Sequence, residues 1–112
     1  MTLNTDEKEL LIMDKLFIQP YPLKILTDIF SSYCPDAEIW AYGSRVNGDA
    51  HLGCDLDLVV KSFNSDNCNL VGLRQLIHDS QIPFLVDLNM FDKLPNSFQK
   101  EILKKYLVIW GK

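Results

Sequence analysis

Residues 41–60 read AYGSRVNGDAHLGCDLDLVV, with Asp55 and Asp57 one residue apart in an apolar run and Gly43-Ser44 ten residues ahead of them. In a strand, side chains at i and i+2 share a face, which sets these two carboxylates on one side with Cα atoms about 6.6 Å apart. Leu56, Leu58 and Val60 then point the other way, into a core. A carboxylate among apolar neighbours is costly unless something positive meets it. Two that lean toward a common point suit a hard, oxygen-seeking ion such as Mg²⁺. The stretch FLVDLNM, residues 84–90, repeats the pattern. Phe84, Val86, Leu88 and Met90 make an apolar face, and Leu85, Asp87 and Asn89 the other. If the two strands are neighbours, Asp87 joins Asp55 and Asp57. Three acids in one patch repel unless cations hold them, and those cations would draw in a triphosphate.

Gly43-Ser44 supplies a place for its phosphates. Glycine lets backbone approach a ligand closely, and a serine opening a helical turn adds a hydroxyl and backbone N–H groups. Gly48 gives the loop a second tight point. Arg45 is counted with Gly43 and Ser44 as a nucleotide-binding candidate, an ordinary loop charge or salt bridge being the alternative. There is no G-K-[ST], no G-x-G-x-x-G and no serine–histidine–acid grouping. His51 and His78 have no partner at metal spacing and are expected in solvent.

The elements that must position these residues follow from periodicity. Asn4 and Glu7 suggest a capping box ahead of a first helix, which Pro20 and Pro22 should end. Leu23, Leu26, Ile29 and Phe30 mark a helix over 23–33. EIWAY, residues 38–42, reads as a strand, with Trp40 and Tyr42 as packing residues. Residues 45–54 form a loop, with a helical turn after Ser44. The second strand spans 55–60, a polar loop 62–69, and a helix 70–79 with Leu73, Leu76 and Ile77 inward. The third strand is 84–90. Asn96 and Gln99 suggest a cap for a last helix burying Phe98, Ile102, Leu103 and Tyr106. Residues 107–110 either end that helix or add a strand.

At 112 residues, 47% hydrophobic and 23% charged, the chain suits one globular domain. A net charge of −4 gives no support to direct nucleic-acid binding. Cys34, Cys54 and Cys68 form no C-x-x-C pair, so reduced thiols in the cytoplasm are expected. The acidic start, MTLNTDEKELL, does not resemble a signal peptide, and no apolar run is long enough for a membrane span.

The string Gly43-Ser44, ten residues, Asp55-Leu56-Asp57 matches the G-S-x10-D-x-D signature of the DNA polymerase β-like nucleotidyltransferases, and Asp87 falls where that family carries a third carboxylate. GSRVNG…DLDLVV resembles its minimal nucleotidyltransferase (MNT) branch, over roughly residues 25–110. The resemblance implies an α/β (α+β) fold, a mixed sheet flanked by helices. It implies a single nucleotidyltransferase domain over 1–112, with 1–22 an N-terminal extension and 23–110 the core. Gly43 and Ser44 would hold the terminal phosphates of ATP, the donor. Asp55 and Asp57 would bind two Mg²⁺ ions, and Asp87 would bind the catalytic one and help activate a hydroxyl. AMP would pass to that hydroxyl as pyrophosphate leaves. MNT proteins commonly pair with HEPN proteins in toxin–antitoxin modules, which implies a tyrosine of a HEPN toxin as acceptor. The chain leaves no residues for an acceptor-binding domain, so a separate protein or another copy of this chain is expected to complete the site. The first helix, Tyr106 and Trp110 are candidate contact surfaces. One departure is Cys54, where the family usually has Ser, because a thiol is the poorer donor. Two alternatives remain open: a non-catalytic subunit acting by contact, and a small-molecule nucleotidyltransferase with a helical partner.

Overall fold

The β-branched and aromatic run EIWAY forms β1, Glu38–Tyr42, over the expected residues. In the computed structural model, which describes residues 11–13, 15–48, 50–51 and 53–111, three further strands follow. They are β2, Leu56–Ser62, β3, Val86–Met90, and β4, Leu107–Trp110, so 107–110 adds a strand. The helices are α1, Pro20–Tyr33, α2, Ser44–Asn47, α3, Leu70–His78, and α4, Asn96–Lys104, with a 3₁₀ turn at Phe91–Lys93. The sheet order is β3-β2-β1-β4. β1 runs antiparallel to β2 and β4, while β2 and β3 are parallel, and α3 is the crossover that a parallel pair requires. The fold is therefore the expected mixed sheet flanked by helices.

Alternation sends β-strand residues to two different environments. Ile39, Ala41, Leu56, Leu58, Val60 and Leu88 pack with Leu23, Leu26 and Phe30 of α1 and Leu73 and Ile77 of α3. Ile12, Leu16 and Ile18 join this core from the segment before α1. On the other face, Trp40, Tyr42 and Val59 meet Phe91 and Ile102. Lys61 extends over the rings of Phe91 and Trp40 at 4.9 and 5.8 Å. That second face also carries the acids.

Several local expectations change. The capping box of Asn4 and Glu7 lies outside the described residues. The helical residues 11–13 and 15 give out before Pro20, as expected, but the next helix opens at Pro20 itself rather than at Leu23, because a first-turn residue has no intrahelical N–H bond to lose. Leu76 is exposed while Leu73 and Ile77 are buried. Asn96 does not cap α4, whose N-cap is Pro95 without a side-chain bond; Gln99 Nε2 instead donates to the Leu94 carbonyl at 2.9 Å. Of the residues expected inside α4, Ile102 is buried and Phe98, Leu103 and Tyr106 are exposed. Tyr106 lies just past α4 and stacks on Trp40 at 4.2 Å. Trp110 packs against Phe30 and donates to the Pro35 carbonyl at 3.1 Å.

Leu58 sits fully buried in a strand with neighbours on both sides. Leu58→Ala should cost about 2–5 kcal/mol, read as a lower urea midpoint at unchanged slope. A loss below 1 kcal/mol would mean that this core collapses around the gap.

Candidate active site

Strand register brings the candidate acids together. Tyr42 pairs with Asp57 across β1 and β2, and Asp57 pairs with Asp87 across β2 and β3. Paired residues project to the same face, so Tyr42, Asp57 and Asp87 form a row across three strands. Asp55 stands one residue before β2 and is exposed, as is Asp87, while Asp57 is half-buried. The ladder reaches back to the aspartates because Leu56 N–H donates to the Leu85 carbonyl at 2.9 Å.

The charges of this row act on one another. Burial pushes the Asp57 carboxyl up from its ordinary range, and the charges of Asp87 and Asp55 add to it. Burial likewise raises the Tyr42 phenol to about 12, with Asp57 and Asp87 contributing. Among the described residues, no three acidic, histidine or cysteine side chains stand close enough to grip an ion together. Asp57 and Asp87 share a face of the sheet without forming a closed cage with Asp55. An all-carboxylate donor set of this kind fits a hard divalent cation.

Gly43 follows β1 directly and has φ +81°, a conformation that favours glycine. A Cβ at this position would overlap Asp57 Oδ2. The turn therefore lies against the carboxylate, at a place where other side chains are excluded. The Gly43 carbonyl accepts from Val46 and Asn47 N–H at 3.0 and 2.9 Å, which winds α2. Ser44 Oγ lies 3.5 Å from Cys54 Sγ, so the residue standing where serine is usual contacts the serine of the turn. This contact, ahead of smaller causes, lowers the Cys54 thiol pKa.

Arg45 has a position the sequence did not suggest. It is 2% exposed. Its Nε and Nη2 donate to the Cys54 carbonyl at 3.1 and 2.6 Å, and its Nη1 to the Phe17 carbonyl at 2.8 Å. Its guanidinium lies 4.1 Å from the centre of the Phe84 ring. The expected phosphate contact is thus a buried clasp between the loop before β2, the segment before α1 and the approach to β3. Of the histidines, His78 is exposed, and so is His51, whose Nδ1 accepts from Gly53 N–H.

Beside Gly43 a recess of about 330 Å³ opens toward α4, lined by Tyr42, Gly43, Asn47, Phe98, Glu101, Ile102, Lys104 and Lys105. Phe98 meets Tyr42 edge-on at 5.9 Å. Sequence reasoning missed this wall. Its signal was available, because 98, 101 and 102 fall on one helical face.

A mixed sheet with a glycine turn packed against paired strand carboxylates defines a class, and the chain belongs to the family described as polymerase beta, nucleotidyltransferase, whose pattern matches residues 24–112. It is a nucleotidyltransferase. It is 34% identical over 99 residues to a Haemophilus influenzae protein described as a probable protein adenylyltransferase, MntA, covering 88% of this chain and 87% of that one. No helix among the described residues is long and apolar enough to cross a membrane.

Two outcomes follow for stability. Arg45→Met leaves the Cys54 and Phe17 carbonyls without this donor and should cost about 3 kcal/mol in urea unfolding. Arg45→Lys should restore little, since a lysine cannot fork; full restoration would show that charge alone matters. For Asp57, the folded protein holds the proton to higher pH than the unfolded chain does. Without divalent cations, stability should therefore fall as pH rises from near 3.8 through the raised folded value. Asp57→Asn should raise Tm at pH 7 in EDTA and flatten that dependence. A lowered Tm would mean that the carboxylate's attractive contacts outweigh the repulsion.

Proposed function

We propose that this nucleotidyltransferase moves AMP from MgATP to a hydroxyl of another protein, a tyrosine of a HEPN toxin that it thereby silences. The observation that carries the reading is the pairing of Asp57 with Asp87 beside the Gly43 turn. The acceptor class is supported by the relative described as a protein adenylyltransferase, and the HEPN partner by the resemblance to the MNT branch.

On this reading Gly43 and Ser44 present backbone and a hydroxyl to the donor's phosphates, and Asp55, Asp57 and Asp87 hold two Mg²⁺ ions. When bound, these ions supply charge neutralisation at the entering and leaving oxygens. Asp87 takes up the proton of the attacking tyrosine hydroxyl. The hydroxyl oxygen bonds to the α-phosphorus as the bond to the bridging oxygen breaks, and pyrophosphate departs with that electron pair. Positioning and electrostatics supply most of the acceleration, because the protein forms no bond to substrate. The free thiols suit a reducing cytoplasm.

The test combines the purified chain, a co-encoded HEPN protein, Mg²⁺ and ATP labelled at the α-phosphate. Label should appear on a HEPN tyrosine with one pyrophosphate released per label. EDTA should abolish it, and Asp57→Asn should slow it about a thousandfold, the scale of losing several kcal/mol of charge stabilisation. If the partner is neutralised with neither label nor pyrophosphate, the protein acts by contact. Label on small hydroxyl compounds instead would assign it to small-molecule transfer.

A further inference from the structure

Two Mg²⁺ ions on the three aspartates would neutralise part of a donor's charge, and phosphates reaching beyond them call for positive side chains from elsewhere. Arg45, the cation nearest the turn in sequence, is buried with its guanidinium on the Cys54 and Phe17 carbonyls. The recess bordered by Gly43 is lined by two other cations, Lys104 and Lys105, at the end of α4. Asn47 brings a carboxamide to the same recess. Two lysines against one glutamate make the lining net positive, in a chain of net charge −4.

Size narrows the occupant. A volume near 330 Å³ lies at the bottom of the range of about 300–1,000 Å³ for small-molecule sites. It suits part of a nucleotide. The lining then chooses which part, since ammonium groups and an amide N–H match phosphate oxygens as point charges and donors. Lys104 Nζ is on Glu101 at 2.8 Å, but both side chains are about 70% exposed. Pairs this exposed contribute little, so Lys104 can exchange its partner for a phosphate at small cost.

We propose that this recess receives the β- and γ-phosphates of the donor nucleotide, with Lys104 and Lys105 as their cationic partners and Asn47 as a donor, and that it holds pyrophosphate after transfer. The inference rests on the nucleotidyltransferase reading above.

The experiment measures calorimetric affinities of the full chain for MgATP, magnesium pyrophosphate and AMP. It compares wild type with Lys104→Ala/Lys105→Ala and Lys104→Arg/Lys105→Arg. The alanine pair should weaken MgATP and pyrophosphate about tenfold or more, the scale of a charge-assisted hydrogen bond. AMP affinity should not change, and the arginine pair should bind as wild type. Tm should hold, since both lysines are exposed. Equal weakening of AMP would make the recess a nucleoside pocket and overturn the proposal. Unchanged affinities throughout would overturn it as well, leaving the lysines as surface charges. A wild-type chain that binds no MgATP would instead overturn the nucleotidyltransferase reading beneath it.

Discussion

The parallel pairing of Leu56–Val60 with Val86–Met90 holds Asp57 and Asp87 one interstrand spacing apart, about 4.8 Å, with Tyr42 opposite on the other side. No favourable contact between two carboxylates explains that register. The opposite face does. Leu56, Leu58 and Val60 are fully buried and Leu88 nearly so, and a slip of one residue would drive Asp57 into the core and Leu58 out of it. The hydrophobic effect thus fixes the acids at a separation their own charges resist. Burial is the first cause of the raised proton affinity of Asp57 and the suppressed ionisation of Tyr42, and the neighbouring carboxylates add to it. On the proposed reading, a divalent cation would relieve the repulsion between these carboxylates.

A second constraint keeps the glycine turn against this row. The chain from Gly43 to Asp55 could wander, but both ends are fastened. Ser44 meets Cys54, and Arg45 reaches from the start of α2 to the Cys54 carbonyl next to Asp55. The same guanidinium ties in Phe17 and lies on Phe84, just ahead of β3. One buried cation therefore touches the approaches to all three candidate acids. Its charge faces inward, where it orders the loop. This is how preorganisation is built in a small domain, with ordering done on folding rather than on binding.

The sheet was legible because β-branched and aromatic residues crowd EIWAY and period-two alternation marks DLDL and FLVDLNM. The spacing of Gly43-Ser44 to Asp55 and Asp57, with Asp87 on a later strand, was legible for the same reason. What the sequence hid was direction and depth. An arginine following Gly-Ser looks like a phosphate ligand, and nothing local reveals three carbonyl bonds to residues 9 and 28 positions away. Apolar spacing in α4 suggested a buried side with Phe98 and Leu103, yet the helix lies over one part of the sheet's second face and buries Ile102. Phe98 instead edges the recess. Leu76 shows the same limit in α3, since a helix on a sheet covers a narrower stripe than its apolar content suggests.

The row also has a direction that bears on chemistry. At the Tyr42 end, the Gly43 turn and the lysines of α4 border a recess. At the other end, Asp87 is exposed on an edge strand, and Asp55 is exposed ahead of β2. In-line displacement at phosphorus places the entering and leaving oxygens on opposite sides. On the proposed reading, the leaving pyrophosphate belongs at the positive, walled end and the entering hydroxyl at the open, acidic end. A partner that presents a hydroxyl must then bring its own wall to the β3 side, because discrimination among acceptors needs contacts for them. On this reading, the asymmetry of the row, closed by α4 on one side and exposed on the other, is what would make so small a domain depend on a second protein.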